Sequence, residues 1–212
     1  MTGMVWTFGA VFVLAASANW WSRLSDTRRC VEVWSKPLAM VALIAVAVAL
    51  DPAEQLVRAW FVTALVCSLA GDMFLLDSEQ HFVPGLVSFL FAHLAYTFGF
   101  FASRDWSTAA FLVGVLMVGV LAAAIGVRIV LAARRKERTL GPPVALYLVA
   151  ISLMFCAAMA TGSTWAILGA ALFVASDSVL AWRRFVAKAS WMPVTIMVTY
   201  HLGQAGLVAS LP

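Results

Sequence analysis

VRAWFVTALVCSLAGDMFLL, residues 57–76, is an apolar run of 20 residues with an aspartate, Asp72, near its end. About 20 such residues span the hydrocarbon core as one helix. A charged side chain inside such a run is expensive and usually marks an ion path, a proton relay or a catalytic site. A second run repeats the arrangement: in LFVASDSVL, residues 172–180, Asp177 stands six residues before Arg183. Neither stretch has a cation three or four residues away on its own helix face to neutralise the acid. A matched pair of membrane carboxylates suggests acid and base chemistry.

Working outward from these runs, 64% of residues are hydrophobic and 11% charged, where soluble domains carry roughly a quarter charged residues. The expected fold is an all-α polytopic membrane protein, a bundle of eight transmembrane helices at about residues 4–20, 36–50, 57–76, 82–101, 107–133, 143–161, 163–182 and 191–210. The linkers are too short for a soluble domain, so residues 1–212 form one integral membrane domain and all chemistry falls to helices, their ends and the loops. Of the 14 Lys and Arg residues, Arg23, Arg28, Arg29, Lys36, Arg128, Arg134, Arg135, Lys136, Arg138, Arg183, Arg184 and Lys188 fall on one side of this alternation, leaving Arg58 and Arg104 on the other. That asymmetry explains the net charge of +4 without a nucleic-acid partner and makes the basic side cytoplasmic, with both termini extracytoplasmic. Tryptophans near the ends of the runs, such as Trp20, Trp60, Trp106 and Trp191, suit the interface. The expected location is a bacterial inner membrane.

The first run has small residues, Ala15 to Ala18, that would suit a signal-peptide cleavage site, but its basic residues follow it rather than precede it, the pattern of a retained helix. Cys30, Cys67 and Cys156 fit neither a disulfide framework nor a metal knuckle. The halves align at an offset near 105 residues: Pro37 falls on Pro142, Asp72 on Asp177, and His93 near His201. Two parallel four-helix repeats would produce this, and so would chance alignment of apolar sequence, since the match rests on few positions. Both acids then lie roughly 7–9 Å inside the cytoplasmic boundary, with His93 and His201 deeper, at roughly 15 Å, as the floor of a pocket.

On the fourth run His93, Tyr96 and Thr97 share one helix face, and on the eighth Tyr200 and His201 stand one turn before Gln204. Interhelical hydrogen bonding is the ordinary use of such seams; positioning water or substrate is the functional one. Asp72, Asp177, His93 and His201 are donor types that suit zinc, but their spacing matches no compact metal motif, and neither metal nor cofactor is expected. Ala70-Gly71-Asp72 has part of the intramembrane aspartyl protease signature without its first glycine. Lys36-Pro37 opens the second run, where a lysine ordinarily snorkels to the interface or, beside a helix start, binds phosphate. Arg134-Arg135-Lys136-Glu137-Arg138 reads as a topology determinant.

Five ordered segments carry a resemblance: Lys36-Pro37, Ala70-Gly71-Asp72-x-x-Leu75-Leu76, Phe82 to Tyr96, Gly169 to Leu180 around Asp177, and Tyr200-His201-x-x-Gln204. Together they resemble the YhhN or lysoplasmalogenase-like membrane family from about residue 36 to 210. The resemblance implies a hydrolase that cleaves the vinyl ether bond of lysophospholipids taken from the cytoplasmic leaflet, releasing a fatty aldehyde and a glycerophospho-alcohol. It implies Asp72 and Asp177 as catalytic residues, and Lys36, His93, Tyr96, Tyr147, His201 and Gln204 are expected to bind substrate or water. Vinyl ethers cleave by protonation of the outer vinyl carbon and trapping of the oxocarbenium ion by water, work for one acid and one anion, as in glycosidases. Two nearby carboxylates sharing one proton would supply both. A different class, a proton-coupled transporter of lipids or small molecules, would use the same acids as a relay.

Overall fold

The computed structural model describes residues 3–52, 54–77 and 80–211. Positions 78 and 79 of the expected 77–81 loop lie outside the described residues. Among those described are eight long helices: α1 (Gly3–Ser22), α2 (Arg29–Ala49), α3 (Gln55–Leu75), α4 (Phe82–Ala102), α5 (Thr108–Lys136), α6 (Gly141–Ala160), α7 (Thr164–Phe185) and α8 (Met192–Ala209). Seven of them are long and apolar enough to cross a membrane; α8 is the exception, its apolar run diluted by Tyr200, His201 and Gln204. The chain is an integral, helical, polytopic membrane protein.

Local chemistry explains several ends. Ser107 accepts a hydrogen bond from the Ala110 N–H at 3.3 Å and Ser163 from the Ala166 N–H at 3.4 Å, which caps α5 and α7. Pro142 and Pro193 stand in the first turns of α6 and α8, where a missing N–H removes no helical bond. The short α6–α7 connection turns through Gly162 at φ +68°, a conformation that side chains with a Cβ rarely adopt. Basic residues in the last turns of α5 and α7 face the negative end of each helix dipole.

The α2 boundary corrects the expectation of a start at Lys36. The helix begins at Arg29, so Lys36 and Pro37 lie two turns inside it and Lys36 is buried. Apolar runs report the part of a helix suited to hydrocarbon, whereas α2 begins two turns before its run, with Arg29 and Glu32 in its first turn. Helix α5 likewise runs on to Lys136 and contains a π turn at Ala122–Gly126.

Consecutive helices pack as hairpins, α1 on α2, α3 on α4, α5 on α6 and α7 on α8, and the hairpins meet through α2–α3, α4–α6, α6–α7 and α1–α8. Lipid tails are as apolar as leucine, so close packing rather than expulsion from water holds such helices together. The α7–α8 contact shows this at its tightest: a Cβ on Gly169 would lie 2.6 Å from the Leu207 nitrogen, and one on Gly206 2.9 Å from the Gly169 Cα. At the centre Phe89, Phe173 and Tyr200 form an edge-to-face trio with centroids 5.4–6.2 Å apart, each such pair worth about 0.5–1.5 kcal/mol. This trio ties α4, α7 and α8 together beside both aspartates.

Candidate active site

Asp72 follows Gly71 on α3, and a Cβ on Gly71 would lie 2.6 Å from the Phe89 ring, so glycine lets α4 pack directly against this turn. The carboxylate is 2% exposed. Its Oδ1 lies 3.0 Å from the Lys36 ammonium of α2, and its Oδ2 accepts a hydrogen bond from the Tyr200 hydroxyl of α8 at 2.8 Å. The helix-spacing argument left the acid unpaired because its cation arrives from another helix. At that depth the pair is mutually required: removing one partner leaves an uncompensated buried charge.

Asp177 on α7 has different company. Its Oδ2 accepts the Tyr147 hydroxyl of α6 in a short hydrogen bond and lies 3.3 Å from His93 Nε2 of α4. His93 Nε2 is also 2.9 Å from the Tyr147 oxygen. With the tyrosine proton donated to Asp177, that oxygen accepts from a protonated Nε2, so the network selects the Nε2–H tautomer. The His93 ring packs at an edge on Phe173, with centroids 4.8 Å apart, and the neighbouring Ser176 hydroxyl donates to the Ile196 carbonyl at 3.0 Å, pinning α7 to α8. His93 therefore stands level with its carboxylate, not on a floor beneath it.

Three expected site residues lie elsewhere. His201 Nδ1 accepts from the Trp20 indole N–H at 2.9 Å, on the α1–α8 contact. Tyr96 donates to Gln204 Oε1 at 2.5 Å, tying α4 to α8. None of these three lines either cavity described below. Their geometry is that of interhelical hydrogen bonds, the ordinary use of a polar seam. Tyr200 reaches Asp72 and also lies within hydrogen-bonding reach of Gln204, with which its spacing grouped it.

Two cavities meet at Asp177. One, of about 260 Å³ at the basic end of the bundle, is lined by Lys36, Asp72, Tyr200 and Asp177 and walled by Arg23, Arg29, Arg183, Arg184 and Lys188. The other, of about 220 Å³, lies among α4, α5, α6 and α7 and is almost wholly apolar, with Leu86, Ile125, Ile129, Leu148 and Ile151 in its wall. Its α5 side includes Met117 and Leu121, which are also exposed on the outer surface. Asp177 lines both cavities, together with Leu75, Phe82, Phe89 and Leu180. Among the described residues no three His, Cys, Asp or Glu side chains converge as a metal-holding group. What remains is two carboxylates, each held by two donors, with Asp72 in polar space and Asp177 at the boundary between polar and apolar space, an arrangement suited to moving protons on an amphiphile.

Comparison with known proteins gives an independent reading. The profile of the YhhN family matches residues 31–211. The human protein named lysoplasmalogenase TMEM86B is 36% identical over 145 residues, 66% of this chain and 58% of that protein. A Mycobacterium tuberculosis protein named lysoplasmalogenase is 30% identical over 175 residues, 81% of this chain and 67% of that protein. Rat lysoplasmalogenase TMEM86B is 33% identical over 149 residues, 69% of this chain and 59% of that protein. The chain thus spans about three fifths of the length of its mammalian relatives. No solved structure matches.

Proposed function

Since the chain belongs to the YhhN family, we propose that it hydrolyses the vinyl ether bond of a lysoplasmalogen-type lysophospholipid, releasing a fatty aldehyde and a glycerophospho-alcohol. The observation that carries this reading is the position of Asp177, shared by a polar cavity ringed with cations and an apolar one reaching the lipid side of α5. A single-chain phospholipid has the same division: a phosphate-bearing head, one tail, and the ether bond at the boundary between them. By the positive-inside rule the basic end is cytoplasmic, so substrate enters from that leaflet and both ends of the chain are extracytoplasmic.

The chemistry divides between the carboxyls. Asp177 in its acid form delivers a proton to the outer vinyl carbon, and Tyr147 and His93 keep the carboxyl oriented. The oxocarbenium ion that forms is attacked by water, whose proton passes to Asp72, held in place by Lys36 and Tyr200. The hemiacetal then collapses: Asp72 returns that proton to the departing glycerol oxygen, and Asp177 takes the hemiacetal hydroxyl proton. Both carboxyls end as they began, each switching between acid and base as microscopic reversibility requires.

Purified protein given a lysoplasmalogen and its saturated ether analogue tests the reading. Aldehyde is expected from the first alone, detected by mass spectrometry. Aldehyde from neither would remove the proposal, and movement of intact lipid across a vesicle bilayer without cleavage would replace it with the transporter.

A further inference from the structure

Tyr147 bonds Asp177 where the apolar cavity meets the polar one, and Phe155, the lining residue of α6 furthest from it, stands eight residues further along the helix, about 12 Å at 1.5 Å per residue. On α7 the furthest lining residue is Ala171, six residues before Asp177. A lipid tail fills one leaflet, half of a hydrocarbon core of about 30 Å, and so reaches roughly 15 Å or more. A tail whose ether bond sits at Asp177 therefore overruns the cavity.

The overrun has a way out on the α5 side. In the outer half of α5, Leu112, Leu116, Met117, Val120 and Leu121 are all exposed, and the helix rests on α6 at Gly114, where a Cβ would lie 3.1 Å from the Cys156 Cα. Met117, Leu121 and Ala122 line the cavity and are also exposed. Ala122 and Gly126, the first and last residues of the π turn, put no side chain longer than a methyl group into that wall; π turns are frequent at functional sites. Helices α5, α6 and α7 are described over their full lengths.

Resting on the hydrolase reading above, we infer that the apolar cavity is a passage rather than a closed pocket: it holds the part of the tail next to the ether bond, and the tail end leaves past Met117, Leu121 and Ala122 into the bilayer. Lipid tails are as apolar as leucine, so methylenes beyond the opening stay in hydrocarbon throughout binding and add nothing to affinity. In transfer from water each methylene would change KM about fourfold. The protein thus accepts lysolipids of widely different tail length and selects on the carbons near the ether bond, where Leu148, Ile151 and Val174 enclose the chain. The same opening lets the fatty aldehyde pass sideways into the membrane without crossing the headgroup layer.

The test uses the full chain in phosphatidylcholine nanodiscs, with KM expressed as mole fraction in the bilayer, and two vinyl ether lysolipids that share a head and carry a decenyl or an octadecenyl tail. Their KM values are expected to agree within about threefold. Ala122→Trp and Met117→Trp should each raise KM for the octadecenyl substrate about tenfold, the scale of overfilling a packed space, with kcat and the decenyl KM little changed. Val120→Trp, at an exposed α5 position outside the cavity, should change neither. A wild-type KM that climbs steeply from decenyl to octadecenyl would overturn the inference, because the cavity would then be a closed ruler. So would tryptophan variants that affect both tails equally or neither. Photolabelling reads the path without turnover: saturated ether lysolipids with a diazirine beside the ether bond should label Ile151 or Val174, and with a diazirine at the tail end should label Met117, Leu121 or bilayer lipid. That pattern without aldehyde from any substrate would end the hydrolase reading and leave the passage standing. Tail-end labelling confined to Phe155 and Ala171 would overturn the passage and leave the hydrolase intact.

Discussion

Around Asp72 the partners are an ammonium and a phenol, and around Asp177 an imidazole and a phenol. The layout is matched. Each carboxyl takes one partner from the second helix of its own half, Lys36 of α2 or Tyr147 of α6, and one from the fourth helix of the other half, Tyr200 of α8 or His93 of α4. The chemistry differs, since only Asp72 is ion-paired with a permanent cation, and only Asp177 touches the apolar cavity. A pair of acids can be given different tasks by environment alone, as in enzymes where one carboxyl donates and its neighbour stays anionic. On the proposed mechanism this contrast gives Asp177 the protonation of the outer vinyl carbon and Asp72 the proton of the attacking water.

The largest expected effect breaks both sides at once. Asp72→Asn and Asp177→Asn keep the shape of each side chain and remove its titrating proton, so each should reduce aldehyde release by about 10²- to 10⁴-fold at matched amounts of folded protein. Near-normal turnover in either variant would end the division of labour.

Next comes Lys36→Met, which belongs to the Asp72 side alone. It leaves a buried carboxylate without its cation, and thermal unfolding in detergent should show a loss of about 3–5 kcal/mol, the scale for breaking a buried ion pair. Adding Asp72→Asn to it should restore most of the stability and none of the activity. The Asp177 side has no such dependence, so His93→Gln should lower kcat by about tenfold, the worth of one hydrogen bond to a charged group, with a small change in stability.

The smallest effect separates the site from the bundle. His201→Gln removes a bond to Trp20 on the α1–α8 contact and should cost stability of about 0.6 kcal/mol, the average for membrane interhelical hydrogen bonds, with turnover within about threefold of normal. A larger loss of turnover for His201→Gln than for His93→Gln would reverse the placement of the two histidines.

These contrasts also mark how far the chain could be read without coordinates. Helix number and type were legible because an apolar run of bilayer length has few other uses, and the two acids were legible because charge in such a run is costly. The pairing of Lys36 with Asp72 was not, because it joins residues 36 positions apart on different helices and the lysine looked like an interfacial residue. His93 and His201 were indistinguishable by position, each near the middle of a fourth helix, and only packing turns one to Asp177 and the other to Trp20. The basic residues of the α1–α2 and α7–α8 connections were accounted for by topology alone, and their convergence on one cavity needed the folded bundle.

The central claim is that Asp177 protonates the outer vinyl carbon, and hydrolysis of a lysoplasmalogen in D₂O tests it most directly. The aldehyde, trapped as a hydrazone and analysed by mass spectrometry, should carry one deuterium on the carbon next to the carbonyl. That labelled product should be missing with Asp177→Asn. Unlabelled aldehyde from the wild-type protein, or labelled aldehyde at the normal rate from Asp177→Asn, would contradict the account.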